Sequence, residues 1–233
     1  MPQRKKLLVL GGTAASLDVV RTAKSLGVHT IVTDNLQNGV SKKIADENAL
    51  VSTCDYDGLL KLIKNKKVDG IFCGPSEFNI VNTMKICKLA GLPFYANEEQ
   101  WELCSNKVKF KKLCRDYGVP VVPDYEISKE FTKNDLDNIE YPVIVKPVDG
   151  HSSKGVSVCY TEEELKSAYN FALEYSSSKN IIVEKYIQNY GLGLSAWYIV
   201  NNSKIFLSLV GDRYIVDPSD GATLICALSL FVQ

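Results

Sequence analysis

Two lysines and a glycine- and serine-rich loop carry the strongest chemical signal in the chain. In YPVIVKPVDGHSSKGVSV (141–158), Lys146 sits at the end of an otherwise apolar strand-like run. An ammonium group in such a run costs free energy unless it meets an anion. The loop that follows holds Ser152, Ser153, Lys154 and Gly155. It can fold over that anion and offer it backbone N–H groups as well as hydroxyls. Upstream, SNKVKFKKLCRDYGVPVVP (105–123) puts Lys107 at a helix start; downstream, IIVEKYI (181–187) is an apolar run interrupted by Glu184 and Lys185. Each residue taken singly has a plainer reading. Lys107 is one of several lysines on a solvated helix, Lys146 can lay its stem along apolar surface, and Glu184 can be a salt-bridge partner. Their joint order points to a ligand that bears phosphate.

A weaker signal lies near the N-terminus. Gly11-Gly12, between a strand-like and a helix-like segment, would let backbone amides approach an anion at the helix start. Asp34 ends the second apolar run, where dinucleotide-binding proteins place a ribose-binding acid. The dinucleotide fingerprint needs G-x-G-x-x-G, and the sequence supplies G-G-T-A-A-S. A tight turn with a strand-end Asp34 therefore ranks above a dinucleotide-dependent oxidoreductase. Metal and nucleophile chemistry have little material: the seven cysteines include no C-x-x-C pair, and His29 and His151 are the only histidines. The cysteines read as free thiols in a reducing compartment.

From about Leu7 to Leu209 the chain resembles the ATP-grasp superfamily, in its carbamoyl-phosphate-synthase-like branch of carboxylate–amine ligases. The resemblance rests on Asn106-Lys107, on PVIVKP around Lys146, on the loop from Asp149 to Gly155, and on VEKYI from Val183 to Ile187. It implies that Lys107 and Lys146 hold ATP phosphates and that Ser152, Ser153, Lys154 and Gly155 belong to a mobile phosphate-covering loop. It also implies that Glu184 and the Lys185 carbonyl take the adenine amino group, with the Ile187 amide facing a ring nitrogen. The reaction implied is ATP-dependent ligation through an acylphosphate, with ATP and Mg²⁺ as cofactors and a small carboxylate as substrate. QNYGLGLS (188–195) lacks the acid that many relatives use to hold the ribose, and Asp212, Asp217 and Asp220 match no metal motif of the family. No catalytic residue and no metal ligand is assigned, and the Mg²⁺ ligands are expected beyond Gln233. A nucleotide-binding module without catalysis is the alternative within the same resemblance.

These residues need a scaffold, and the pattern along the chain supplies one. Apolar runs at 6–12, 28–34, 49–55 and 69–77 alternate with helix-like segments at 16–27, 56–67 and 78–90. Such alternation predicts parallel β-α units. The later part differs: a helix over 106–117, strands at 141–150, 156–160 and 180–187, a helix over 161–176 opened by a Thr161–Glu164 capping box, and a hairpin turning at Asn201-Asn202-Ser203. The fold class expected is therefore α/β, and the resemblance implies a Rossmann-like pre-ATP-grasp domain over residues 1–97, then an α+β ATP-grasp domain over 98–233. The apolar tail ATLICALSLFV (222–232) reads as an element entering a core, so that second domain is expected to be incomplete at its C-terminus and inactive in ligation by itself.

Composition narrows the partners. Lys and Arg total 27 against 27 Asp and Glu, so no excess charge recommends a nucleic-acid backbone or an anionic membrane. The basic start leads into only Leu7 to Leu10 before glycines, which is too short for a signal sequence. A cytoplasmic protein is expected, with a nucleotide and a small carboxylate as ligands and a homodimer as the assembly to consider.

Overall fold

KLLVL at Lys6–Leu10 forms β1, and its apolar continuity has a simple cause: the strand is covered on both faces. It is followed by α1 (Leu17–Ser25), β2 (His29–Thr33), β3 (Glu47–Ala49), α2 (Tyr56–Lys66), β4 (Gly70–Cys73) and α3 (Glu77–Ala90). The four strands form a parallel sheet in the order β3-β2-β1-β4. Leu8, Leu10, Ile31 and Ile71 pack with Leu59 and Ile63 of α2 and with Ile86 of α3 on one face. Val9 and Val32 pack with Val20 of α1 in a separate cluster. This computed structural model describes residues 4–150, 153–188, 193–215 and 224–227. The chain divides into two compact units, Met1–Glu102 and Leu103–Gln233.

The third apolar run corrects one expectation. The strand is Glu47–Ala49, and the rest of 49–55 is a turn. Asp55 is the reason: its amide N–H donates to the Ser52 carbonyl at 3.1 Å, and its side chain caps α2 by accepting from the Gly58 N–H. Cap and turn chemistry override the β-branched pattern at that point.

After α4 (Glu98–Ser105), the second unit contains α5 (Lys107–Asp116), β5 (Asp124–Tyr125), α6 (Lys133–Asp137), β6 (Val143–Pro147), β7 (Ser157–Cys159), α7 (Glu162–Glu174) and β8 (Ile181–Lys185). The helices α4 and α6 and the two-residue β5 have no counterpart in the sequence reading. Asn106 caps α5 by accepting from the N–H groups of Val108 and Lys109. Thr161 caps α7 through the Glu164 N–H at 3.3 Å, but Glu164 reaches back to the N–H of Tyr160, at 2.6 Å, rather than to that of Thr161. Half of the expected capping box is formed.

Strands β5, β8, β6 and β7 make an antiparallel sheet in that order. Val143, Val145, Cys159 and Val183 face α7, where Leu165, Ala168, Tyr169 and Ala172 complete a buried cluster. Side chains alternate along a strand, so Ile144, Lys146, Ile182 and Glu184 fall on the opposite face. A third sheet, ordered β11-β10-β9, is built from β9 (Gly193–Asn201), β10 (Lys204–Ile215) and β11 (Leu224–Ala227). Asn202 and Ser203 both adopt left-handed φ, 49° and 61°, which matches the turn to the twist of the hairpin it closes. The strand β11 falls within the apolar tail and pairs antiparallel with β10.

Candidate functional site

The face of the antiparallel sheet away from α7 carries the charge. Lys146 on β6 and Glu184 on β8 are diagonal cross-strand neighbours, since Lys146 is in register with Ile182 and Ile144 with Glu184. Their side chains form an ion pair. The other Glu184 oxygen accepts from the Lys111 ammonium of α5 at 2.7 Å. The Lys111 and Glu184 side chains are only 8% and 7% exposed, whereas Lys146 is 22% exposed. Lys111 also lies 3.3 Å from Asp124 of β5, whose carboxylate is paired with Arg115, one turn further along α5. Three cations, Lys111, Arg115 and Lys146, thus share two carboxylates, Asp124 and Glu184, with one positive charge left over. Burial works to raise the Glu184 carboxyl, but hydrogen bonds from Lys111 and Lys146 and their charges outweigh it and hold the group below its usual range.

Lys107 approaches the chain just beyond the end of β6 that carries Lys146. Its ammonium donates to the carbonyl oxygens of Gly150, at 2.9 Å, and Val148, at 3.3 Å. The first lysine of α5 therefore holds the base of the glycine- and serine-rich loop. Asp149 anchors that base from below: its carboxylate accepts from the Ser176 hydroxyl and the Ser178 N–H, each at 2.8 Å. At the loop's far end Gly155 has φ +70°, and a Cβ there would lie 2.8 Å from Tyr175 Cβ and 2.9 Å from Pro147 Cγ. Only glycine fits. Between these anchors Ser153 and Lys154 are exposed, and Ser152 lies outside the described residues.

At the end of β8, the Lys185 N–H donates to the Pro123 carbonyl and the Tyr186 N–H to that of Pro142, both at 2.9 Å. The Lys185 ammonium pairs with Glu140, so this side chain does not join the charged face. Ile187 follows, 64% exposed. Each Glu184 oxygen already accepts from one ammonium group and keeps a second lone pair. The sequence reading does not single out Lys111, Asp124 or Arg115, and it names Asp149 only as the start of the loop. The one signal for Lys111 was its position four residues after Lys107, which puts both on one helix face.

The structure also disposes of Asp34 as a ribose-binding acid. Its oxygens accept from the backbone N–H groups of Gly12, at 2.7 Å, and Leu36, at 2.8 Å, and the residue is 8% exposed. The segment after it folds back on the N-terminal glycines: Ser41 N–H donates to the Gly12 carbonyl, and a Cβ on Gly39 would sit 2.4 Å from that oxygen. Gly39 is needed for this chain-on-chain approach, and the dinucleotide alternative loses its acid. Among the described residues no group of three His, Cys, Asp or Glu could hold a metal ion, and Asp217 and Asp220 lie outside them.

Residues 113–212 match the family described as D-ala D-ala ligase C-terminus. That match is of the ATP-grasp kind and lies within the second unit, and the chain is similar to ATP-grasp carboxylate–amine ligases. The formate-dependent phosphoribosylglycinamide formyltransferase of Sulfurisphaera tokodaii is 27% identical over 190 residues, covering 79% of this chain and 47% of that protein. A phosphoribosylglycinamide synthetase structure from Anaerococcus prevotii superposes with a TM-score of 0.68 at 26% identity, over 99% of this chain and 57% of that one. The biotin carboxylase domain dimer of Hydrogenobacter thermophilus 2-oxoglutarate carboxylase, solved with MgADP, ADP and bicarbonate, gives 0.76 at 24% identity, over 91% of this chain and 51% of that one. The last likeness is one of fold. This chain spans about half the length of the curated relatives it matches. Among the described residues, no helix is long and apolar enough to cross a membrane.

Proposed function

We propose that the second unit binds the adenine nucleotide of an ATP-dependent carboxylate–amine ligation. The observation that carries this reading is the convergence of two lysines, from α5 and from β6, at the entry to one loop. Lys146 is on the strand that enters the loop, and Lys107, 39 residues earlier, holds its base carbonyls. Phosphate oxygens placed there would draw Lys146 from Glu184 and Lys107 from Gly150, each trading one partner for a more highly charged one. Ser152, Ser153, Lys154 and Gly155 would close over the phosphates and exclude water, which strengthens every charge interaction beneath them. The Lys185 carbonyl and Ile187 amide would read adenine by backbone hydrogen bonds, and Glu184 would share its carboxylate with the amino group.

In the reaction this serves, an oxygen of a small carboxylate attacks the γ-phosphorus and ADP leaves. An amine or similar nucleophile then attacks the acyl carbon and releases inorganic phosphate. The lysines neutralise charge that spreads over the transferring group. Residues 1–97 are assigned as the pre-ATP-grasp domain and 98–233 as the ATP-grasp domain, and a homodimer is the assembly proposed. The test is calorimetric titration of the chain with ADP and, separately, with NADH. Binding of ADP alone, lost in Lys146→Ala while the circular dichroism spectrum is unchanged, is the expected result. Binding of NADH alone, or equal ADP affinity in both proteins, would overturn the reading.

A further inference from the structure

The pairing of Glu184 with two lysines of unequal exposure has a consequence for how a ligand could be bound. Lys146 is the more exposed partner and lies on the strand that leads into the loop; Lys111 is buried and is tied on its far side to Asp124. If Lys146 turned toward a phosphate in the absence of Lys111, Glu184 would be left as a buried carboxylate without a cation. Stranding a buried charge is the expensive way to break an ion pair. With Lys111 in place the carboxylate keeps a cation throughout, and Asp124, itself paired with Arg115, keeps Lys111 compensated.

We propose that Lys111 is a positioning residue for nucleotide binding: it keeps Glu184 ionised and in place while Lys146 exchanges that carboxylate for phosphate. This inference rests on the nucleotide reading above. Among the described residues, the charged groups that face Glu184 are Lys111 from α5 and Lys146 from β6, with Asp124 from β5 and Arg115 from α5 behind Lys111. Removing Lys111 leaves the unliganded protein with an intact Lys146–Glu184 pair and Asp124 still paired to Arg115, so the fold survives. The cost appears only on binding. Glu184 must then either stay charged without a partner or take a proton from solvent.

The test follows ADP affinity and proton uptake by calorimetry, in buffers of different ionisation enthalpy between pH 6 and 8, for the full chain and for Lys111→Met, Lys111→Gln and Lys111→Arg. At pH 8 the Met and Gln variants should bind ADP about tenfold or more weakly than the parent, the scale set by a stranded buried charge. That deficit should shrink as the pH falls, with proton uptake in excess of the parent's; Lys111→Arg should behave as the parent. The Gln variant keeps a hydrogen-bond donor without the charge, so it reads the same effect if the Met variant fails to fold. Parent-like affinity and parent-like proton uptake in the Gln and Met variants would overturn the proposal while leaving the nucleotide reading intact. A parent chain that binds no ADP would overturn both.

Discussion

Replacing Glu184 by Gln keeps the shape of the side chain and removes the charge that two lysines share. In the folded protein Lys111 would lose its shortest partner, 2.7 Å away, at a site where its side chain is 8% exposed. Breaking a buried ion pair by removing one partner costs ~3–5 kcal/mol. Two features place this site at the lower end. Lys111 retains Asp124 at 3.3 Å, and Lys146 is 22% exposed and can turn toward water. The expected loss is therefore about 3 kcal/mol. For a chain of this size ~1 kcal/mol moves the midpoint by about 2–4 °C, so Tm should fall by roughly 6–12 °C at neutral pH. The pH dependence supplies a second reading. The folded Glu184 carboxyl is held below its unfolded value, so its contribution is full above the unfolded pKa and is lost as pH falls through the folded one. The gap between parent and variant should narrow below about pH 4, the usual carboxylate range. Differential scanning calorimetry from pH 3 to 8 measures both. A loss below 1 kcal/mol at pH 7 would refute the reasoning, because it would mean that water already reaches the pair.

Other outcomes can be stated from the same structure. Leu165→Ala should destabilise by about 2–5 kcal/mol in chemical denaturation, because Leu165 is fully buried between α7 and the antiparallel sheet. Gly155→Ala adds a clash with Tyr175 and Pro147 to a left-handed backbone and should cost ~1–3 kcal/mol, read by thermal unfolding. Asp46 is pushed up by burial but pulled down further by the Thr30 N–H and hydroxyl and by Lys24, to a pKa of about 2. Its contribution, on the order of 1–2 kcal/mol, should be present above pH 4 and vanish as pH falls toward 2, and Asp46→Asn should remove that part of the acid-unfolding profile.

Much of the fold is set by local pattern. Alternating apolar runs and helix-length segments suffice for a parallel sheet, because a parallel strand buried on both faces has to be continuously apolar. The cap at Thr161 and the Asn202-Ser203 turn are legible for the same reason: each is a side-chain or backbone preference that acts within four residues. So is the candidacy of Lys146, since one ammonium in an apolar run asks for an anion wherever the strand lies. Tertiary structure decided which anion that is. Glu184 lies 38 residues beyond Lys146, and Lys111 lies 73 residues before Glu184; only the antiparallel registry of β6 and β8, with α5 laid against their charged face, makes the three a unit. Asp34 shows the converse. Its position suggests a ligand contact, but the segment at 34–42 folds onto Gly12, and the Gly12 and Leu36 N–H groups take up the two carboxylate oxygens. The sequence states which groups need partners, and the long-range packing of the chain chooses among those on offer, because burial makes each unpaired charge too costly to leave open.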